Sequence, residues 1–168
     1  FLRKSQWHSQ YSREDEYSVE SLITDLDFNS EGTRAATFSS HGICLVSDVN
    51  SDEYLCHLQI GDEILGHNIC RWSGIPSERT IFTKYDGAKL NIFDVEKKEL
   101  ILKTALELHT DESDRWISSI EVCPSNGNLL ATAGADGILN IFDRRELKIT
   151  KTFGEIHASG IYSAQWSQ

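Results

Sequence analysis

Few of the chemically capable residues in this sequence stand at spacings that chemistry uses. Cys44, Cys56, Cys70 and Cys123 are scattered without a Cys-x-x-Cys pair, so neither a zinc site nor a redox motif has its ligands. They read as buried free thiols. There is no Gly-x-Ser-x-Gly elbow, no phosphate loop of the Gly-x-x-x-x-Gly-Lys type and no His-Glu-x-x-His pair. Asp111, Glu112 and Asp114 crowd into one connection and could in principle hold a cation or a basic peptide. Without the glycine of a calcium loop they read as a solvated face, and Trp116 beside them as core or as a surface anchor. His67 reads as a satisfied core histidine rather than a metal ligand. What does recur is aspartate: Asp48, Asp94 and Asp143 close three similar stretches, and Asp86 and Asp136 each precede a glycine.

The elements that must position these aspartates are strands. A six-residue pattern appears as ITDLDF ending at Phe28, HNICRW at Trp72, ISSIEV at Val122 and IYSAQW at Trp166. These ends, and separately the aspartates, recur at intervals of roughly 44 to 50 residues, the regularity of a repeat architecture. In each pattern the fourth and sixth positions alternate with mostly polar residues, predicting a strand with Leu26 and Phe28, Cys70 and Trp72, Ile120 and Val122, and Ala164 and Trp166 on a buried face. A turn follows each of the first three (29–32, 73–78, 124–127), with Gly and Asn expected to supply positive φ. Second strands are expected at 34–38, 80–83 and 129–133. Third strands carry the recurring aspartates, and fourth strands fit 53–58, 99–104 and 148–153. Each unit is thus expected to be a four-stranded antiparallel meander in an all-β chain.

The totals agree with this. The chain has 168 residues, 39% of them hydrophobic, enough for a packed core. Its formal net charge of −10 argues against general affinity for nucleic acid or an anionic membrane. No apolar run approaches a membrane span, and the opening FLRK lacks the apolar stretch of a signal peptide, so an intracellular protein, cytoplasmic or nuclear, is the expectation. Residues 1–20 show no clean period and are expected to form an N-terminal arm. The start on Phe1 and the absence of methionine suggest a piece of a longer product.

The units resemble the WD-repeat β-propeller family. VCPSNGNLLATAGADGILNIFD, ending at Asp143, is similar to a standard repeat, with Phe142 where the family most often has Trp. The resemblance implies a partial β-propeller of four-stranded antiparallel blades at about 21–60, 65–108 and 115–156, with another starting at 161. Three blades are not expected to close a ring, so an exposed apolar blade face and a tendency to aggregate follow. The resemblance also implies a structural hydrogen-bond network to which Asp86, Thr132, Asp136 and His157 are matched. His41 stands where the first unit would carry its turn aspartate.

The function implied is a non-catalytic scaffold binding other proteins or peptides, without cofactor or metal and without catalytic residues. A propeller enzyme with loops around the central channel is the alternative from another class. Within the scaffold class, Phe142-Asp143-Arg144-Arg145 resembles the box through which WD-repeat substrate receptors dock on the propeller adaptor of cullin-RING ubiquitin ligases. Leu130, Thr132, Ala133, Gly134, Asp136, Leu139, Ile141, Asp143 and Arg145 fit that box, and Ala131 and Phe142 depart from it. Asp143 and Arg145 are the partner-binding candidates, Arg145 because its planar fork suits backbone or carboxylate acceptors.

Overall fold

The computed structural model describes residues 22–51, 53–59, 68–76, 78–85, 89–107, 117–154 and 156–167, and for Tyr85 and residues 99–107 the backbone alone. The expected arm, Asp86, His67, the acidic cluster and Trp116 lie outside the described residues.

Twelve strands form three antiparallel sheets of four, each in simple meander order. The first holds β1 (Ile23–Phe28), β2 (Arg34–Ser39), β3 (Ile43–Asp48) and β4 (Tyr54–Gln59). The second holds β5 (Ile69–Trp72), β6 (Thr80–Tyr85), β7 (Lys89–Asp94) and β8 (Glu99–Glu107). The third holds β9 (Ile117–Val122), β10 (Leu129–Gly134), β11 (Leu139–Asp143) and β12 (Lys148–Phe153). The described residues contain no helix.

Period-two patterning decides how the sheets stack. Ala36 and Phe38 on β2, Cys44 and Val46 on β3, and Cys56 and Leu58 on β4 present one apolar face. Cys70, Trp72, Ile81, Phe93 and Val95 of the second sheet close on it. The opposite face of that sheet offers Ile69, Phe82, Leu90 and Ile92 to Ile117, Ile120, Leu130 and Phe142 of the third. Phe38, Phe82 and Phe142 are fully buried, and each such side chain contributes roughly 1.5–3 kcal/mol by leaving water. Each core therefore lies between sheets, and the first strands of the sheets touch one another along the inner edge. That radial packing makes the three sheets blades of a partial β-propeller.

Two expectations are corrected by the packing. Leu26 and Phe28 remain 48% and 49% exposed, because among the described residues no sheet covers the side of the first blade on which they stand. Their counterparts Cys70, Trp72 and Ile120 are buried, as the alternation requires. The stretch from Ile161 to Trp166, expected as a first strand, belongs to no sheet, since no described strand pairs with it. It is instead fixed to the third blade: the Ile161 N–H donates to Gly134 O at 3.0 Å, and the Ala164 N–H to Ser119 Oγ at 3.2 Å.

The turn glycines divide by mechanism. Gly32, Gly42 and Gly137 have φ of 68°, 72° and 75°, as their tight turns demand. Gly127 serves closeness instead: a Cβ there would stand 2.6 Å from Ile75 Cγ1, where the loop of one blade presses on the next.

Candidate interaction surface

The recurring aspartates are turn clamps. Asp48 Oδ1 accepts the backbone N–H groups of Asn50 and Ser51 at 2.8 and 2.9 Å. Asp94 Oδ1 does the same for Glu96 and Lys97 at 2.9 and 3.0 Å. Asp143 Oδ1 accepts the N–H of Arg145 at 2.9 Å. Each carboxylate ends a third strand and satisfies backbone donors that the turn would otherwise leave unpaired. That is the physical reason the same residue recurs once per blade.

Among the described residues, the third clamp alone captures an arginine side chain. Arg145 Nε and Nη2 reach Asp143 Oδ1 and Oδ2 at 3.1 and 2.6 Å, a fork on a carboxylate. Arg145 holds the Asp143 carboxyl down at about 2. The Asp143 side chain is 5% exposed and that of Arg145 59%, so a buried anion orients an exposed guanidinium. In the second blade Glu96 stands at that place and pairs with Arg79 at 3.4 Å instead.

Arg144, one residue away, does different work. Its Nη2 pairs with Glu78 of the second blade, its Nε donates to Asn128 Oδ1 at 3.0 Å, and its guanidinium lies 5.8 Å from the centre of the Phe82 ring. The pairing with Arg144 holds the Glu78 carboxyl below its ordinary range. Ser73 Oγ donates to Glu78 Oε2 at 2.8 Å, completing a joint between blades. The corresponding residue of the second blade, Val95, fills the same joint with apolar contact.

Of the residues matched to a structural network, Thr132, Asp136 and His157 are described. Thr132 is fully buried on β10, opposite Asn140. Asp136 Oδ1 accepts the N–H of Ile138 at 3.0 Å and so shapes its own turn. His157, matched to the unit that starts at 161, is exposed. Its backbone is what matters locally: a Cβ at Gly137 would meet His157 O at 2.7 Å. In a meander, the turns after first and third strands share one rim and the turn after the second strand lies on the other. Asp143 and Arg145 therefore sit on the opposite rim from Asp136.

Two polar constellations had no place in the sequence reading. The first repeats a Thr–Asn pair across the second and third strands, Thr83 with Asn91 and Thr132 with Asn140. Thr152 Oγ1 reaches Asn140 Oδ1 at 2.7 Å. Thr83 Oγ1 and Trp72 Nε1 are buried with no hydrogen-bond partner among the described residues. The shared LNIFD of β7 and β11 was the available signal.

The second constellation links all three blades at the inner edge. Arg71 Nη1 pairs with Asp25 Oδ2 at 2.5 Å, and Arg71 Nε with Glu121 Oε1 at 3.3 Å. Asp25 Oδ2 also accepts the Cys70 N–H at 3.0 Å, and Asp27 Oδ2 the Trp72 N–H at 2.8 Å. The Ser119 bond to Ala164 repeats the link made by Asp25, so side chains of one inner strand bind the open backbone of the next. Burial raises the Asp27 carboxyl above its ordinary value, against the lowering influence of the Trp72 N–H and Arg71. Burial also brings Lys84 down to about 8. Among the described residues, no cluster of His, Cys, Asp or Glu could hold a metal ion.

Among solved structures, the chain is similar to a chain in the crystal structure of the mitotic checkpoint complex, with a TM-score of 0.71. The identity is 15%, over 90% of this chain and 42% of that one. The likeness is one of fold. This chain spans less than half of the chain it matches. No family model and no curated protein matches the sequence.

Proposed function

We propose that the chain is a protein-interaction scaffold of WD-repeat type, working inside the cell and presenting rigid blade turns to other proteins. The observation that carries this reading is the exposed guanidinium of Arg145, pre-oriented on a buried carboxylate at the rim of a packed blade. Free energy that a mobile arginine would lose on being ordered is largely spent before a partner arrives. Four buried free thiols accord with a reducing compartment. The scaffold reading gives way if the chain hydrolyses generic esters or phosphates with a turnover abolished by one loop substitution.

The same arginine favours a narrower second reading, docking on the propeller adaptor of cullin-RING ubiquitin ligases through Asp143 and Arg145. The fork on Asp143 leaves about three of the five guanidinium N–H groups for acceptors on a partner. Purified adaptor is expected to capture the wild-type chain and to lose Arg145→Ala. Capture of neither, or of both equally, ends this reading and leaves the scaffold reading standing.

A further inference from the structure

We propose that the N-terminal arm, residues 1–21, folds back as a cover on the open side of the first blade. On that side Phe28 of β1 pairs with Ala35 of β2, which pairs with Ser47 of β3. The same row reads Trp72, Ile81 and Phe93 in the second blade. In the third it reads Val122, Leu130 and Phe142. Ile81, Phe93, Leu130 and Phe142 are 5% exposed or less, each packed against the preceding blade. One row along, Leu45 faces Thr37 where Asn91 and Asn140 face Thr83 and Thr132. On its open side the first blade therefore has small residues in place of two tall apolar ones, and a leucine in place of an asparagine.

These exchanges favour a single segment of chain over another sheet. Sheets stack roughly 10 Å apart, and tall side chains such as Phe93 and Phe142 bridge that distance. Above Ala35 and Ser47 a stacked sheet would leave a void of roughly one aromatic side chain and forfeit its contacts. A single segment can approach closer and lower its own rings beside Phe28 and Leu26, which are 49% and 48% exposed. The arm supplies such rings in Phe1, Trp7, Tyr11 and Tyr17. Its point of attachment also fits. Leu22, where it joins the blade, is fixed to the turn between β2 and β3: its N–H donates to Ser40 Oγ at 3.2 Å, and its carbonyl accepts the Ser40 N–H at 2.8 Å. From there about six residues in extended form span the length of a strand, roughly 20 Å. The covalent tether holds the arm at high effective concentration beside the face.

The test is limited trypsin digestion of the full chain, with cleavage after Arg13 followed by mass spectrometry and the oligomeric state by light scattering. In wild type the arm is expected to be cut slowly from a monomer. Phe28→Asp puts a charge under the arm. Ala35→Ile with Ser47→Phe fills the face with the kinds of residue on which the other two blades already fold, and decides the matter if Phe28→Asp does not fold. Each is expected to speed cleavage about tenfold, since cutting tracks the population of the open form. Tyr162→Asp, at an exposed aromatic beside the third blade, is expected to leave the rate unchanged. Equal rates in wild type and the face variants overturn the proposal. So does a dimer that Ala35→Ile with Ser47→Phe tightens, which makes a second copy the cover.

Discussion

Arg71 is the place to perturb if the inner edge holds the blades together. Its guanidinium pairs with Asp25 of the first blade and Glu121 of the third, and Nη1 also donates to Cys70 O at 2.7 Å. The three side chains are 24%, 22% and 28% exposed, intermediate between surface and interior. Surface pairs are worth under about 1 kcal/mol, whereas removing one partner from a buried pair costs about 3–5. Arg71→Met deletes the cation from two pairs at intermediate depth and leaves both carboxylates without it. A loss of about 2–3 kcal/mol is therefore expected. The assay is urea unfolding of wild type, Arg71→Met, and Arg71→Met combined with Asp25→Asn and Glu121→Gln. The triple variant should recover most of the loss, because no unbalanced charge remains. A single variant within about 0.5 kcal/mol of wild type would show that the network is solvated and idle.

Asp27→Asn should raise the melting temperature at pH 7, because the amide oxygen still accepts the Trp72 N–H and the desolvated charge is gone. The sign follows from Asp27 having a folded value above its unfolded 3.8. Its charge destabilises the fold increasingly as pH rises from about 3.8 through the folded value, so the gain should vanish below that window. Thermal melts from pH 3 to 7 decide this, and a pH-independent difference would refute it. Thr83→Val should stabilise by about 1 kcal/mol, since it removes a buried hydroxyl with no described partner while conserving shape; destabilisation in a chemical melt would mean that Thr83 has a partner after all.

Much of the fold was legible because two registers, the first strands and the closing aspartates, count blades independently. The clamp that makes Asp48, Asp94 and Asp143 recur was not legible, since a turn aspartate and a solvent aspartate look alike in sequence. Arg145 was set apart from Arg144 in the sequence by the resemblance to the docking box alone, which gives no physical reason for the difference. What separates them is Glu78 and Asn128, contributed by distant loops, which bury the first and leave the second exposed. The network at Asp25, Arg71 and Glu121 was missed for a related reason. Polar residues alternating with apolar ones on a strand suggest solvent, but on an inner strand that polar face meets the neighbouring blade.

The apolar clusters between sheets put the packing unit out of phase with the sequence repeat. A repeat begins and ends at the boundary of a sheet, whereas a core begins in the middle of one blade and ends in the middle of the next. No single blade thus owns a complete core, yet every blade carries one face of each kind. Removing the whole second blade would bring the face of Phe38 and Val46 toward that of Ile120 and Leu130, two surfaces already shaped to be covered by a sheet. Cutting within the second blade would instead break both cores at once. Such a chain can change its number of blades by whole repeats more readily than it can change the interior of any one of them.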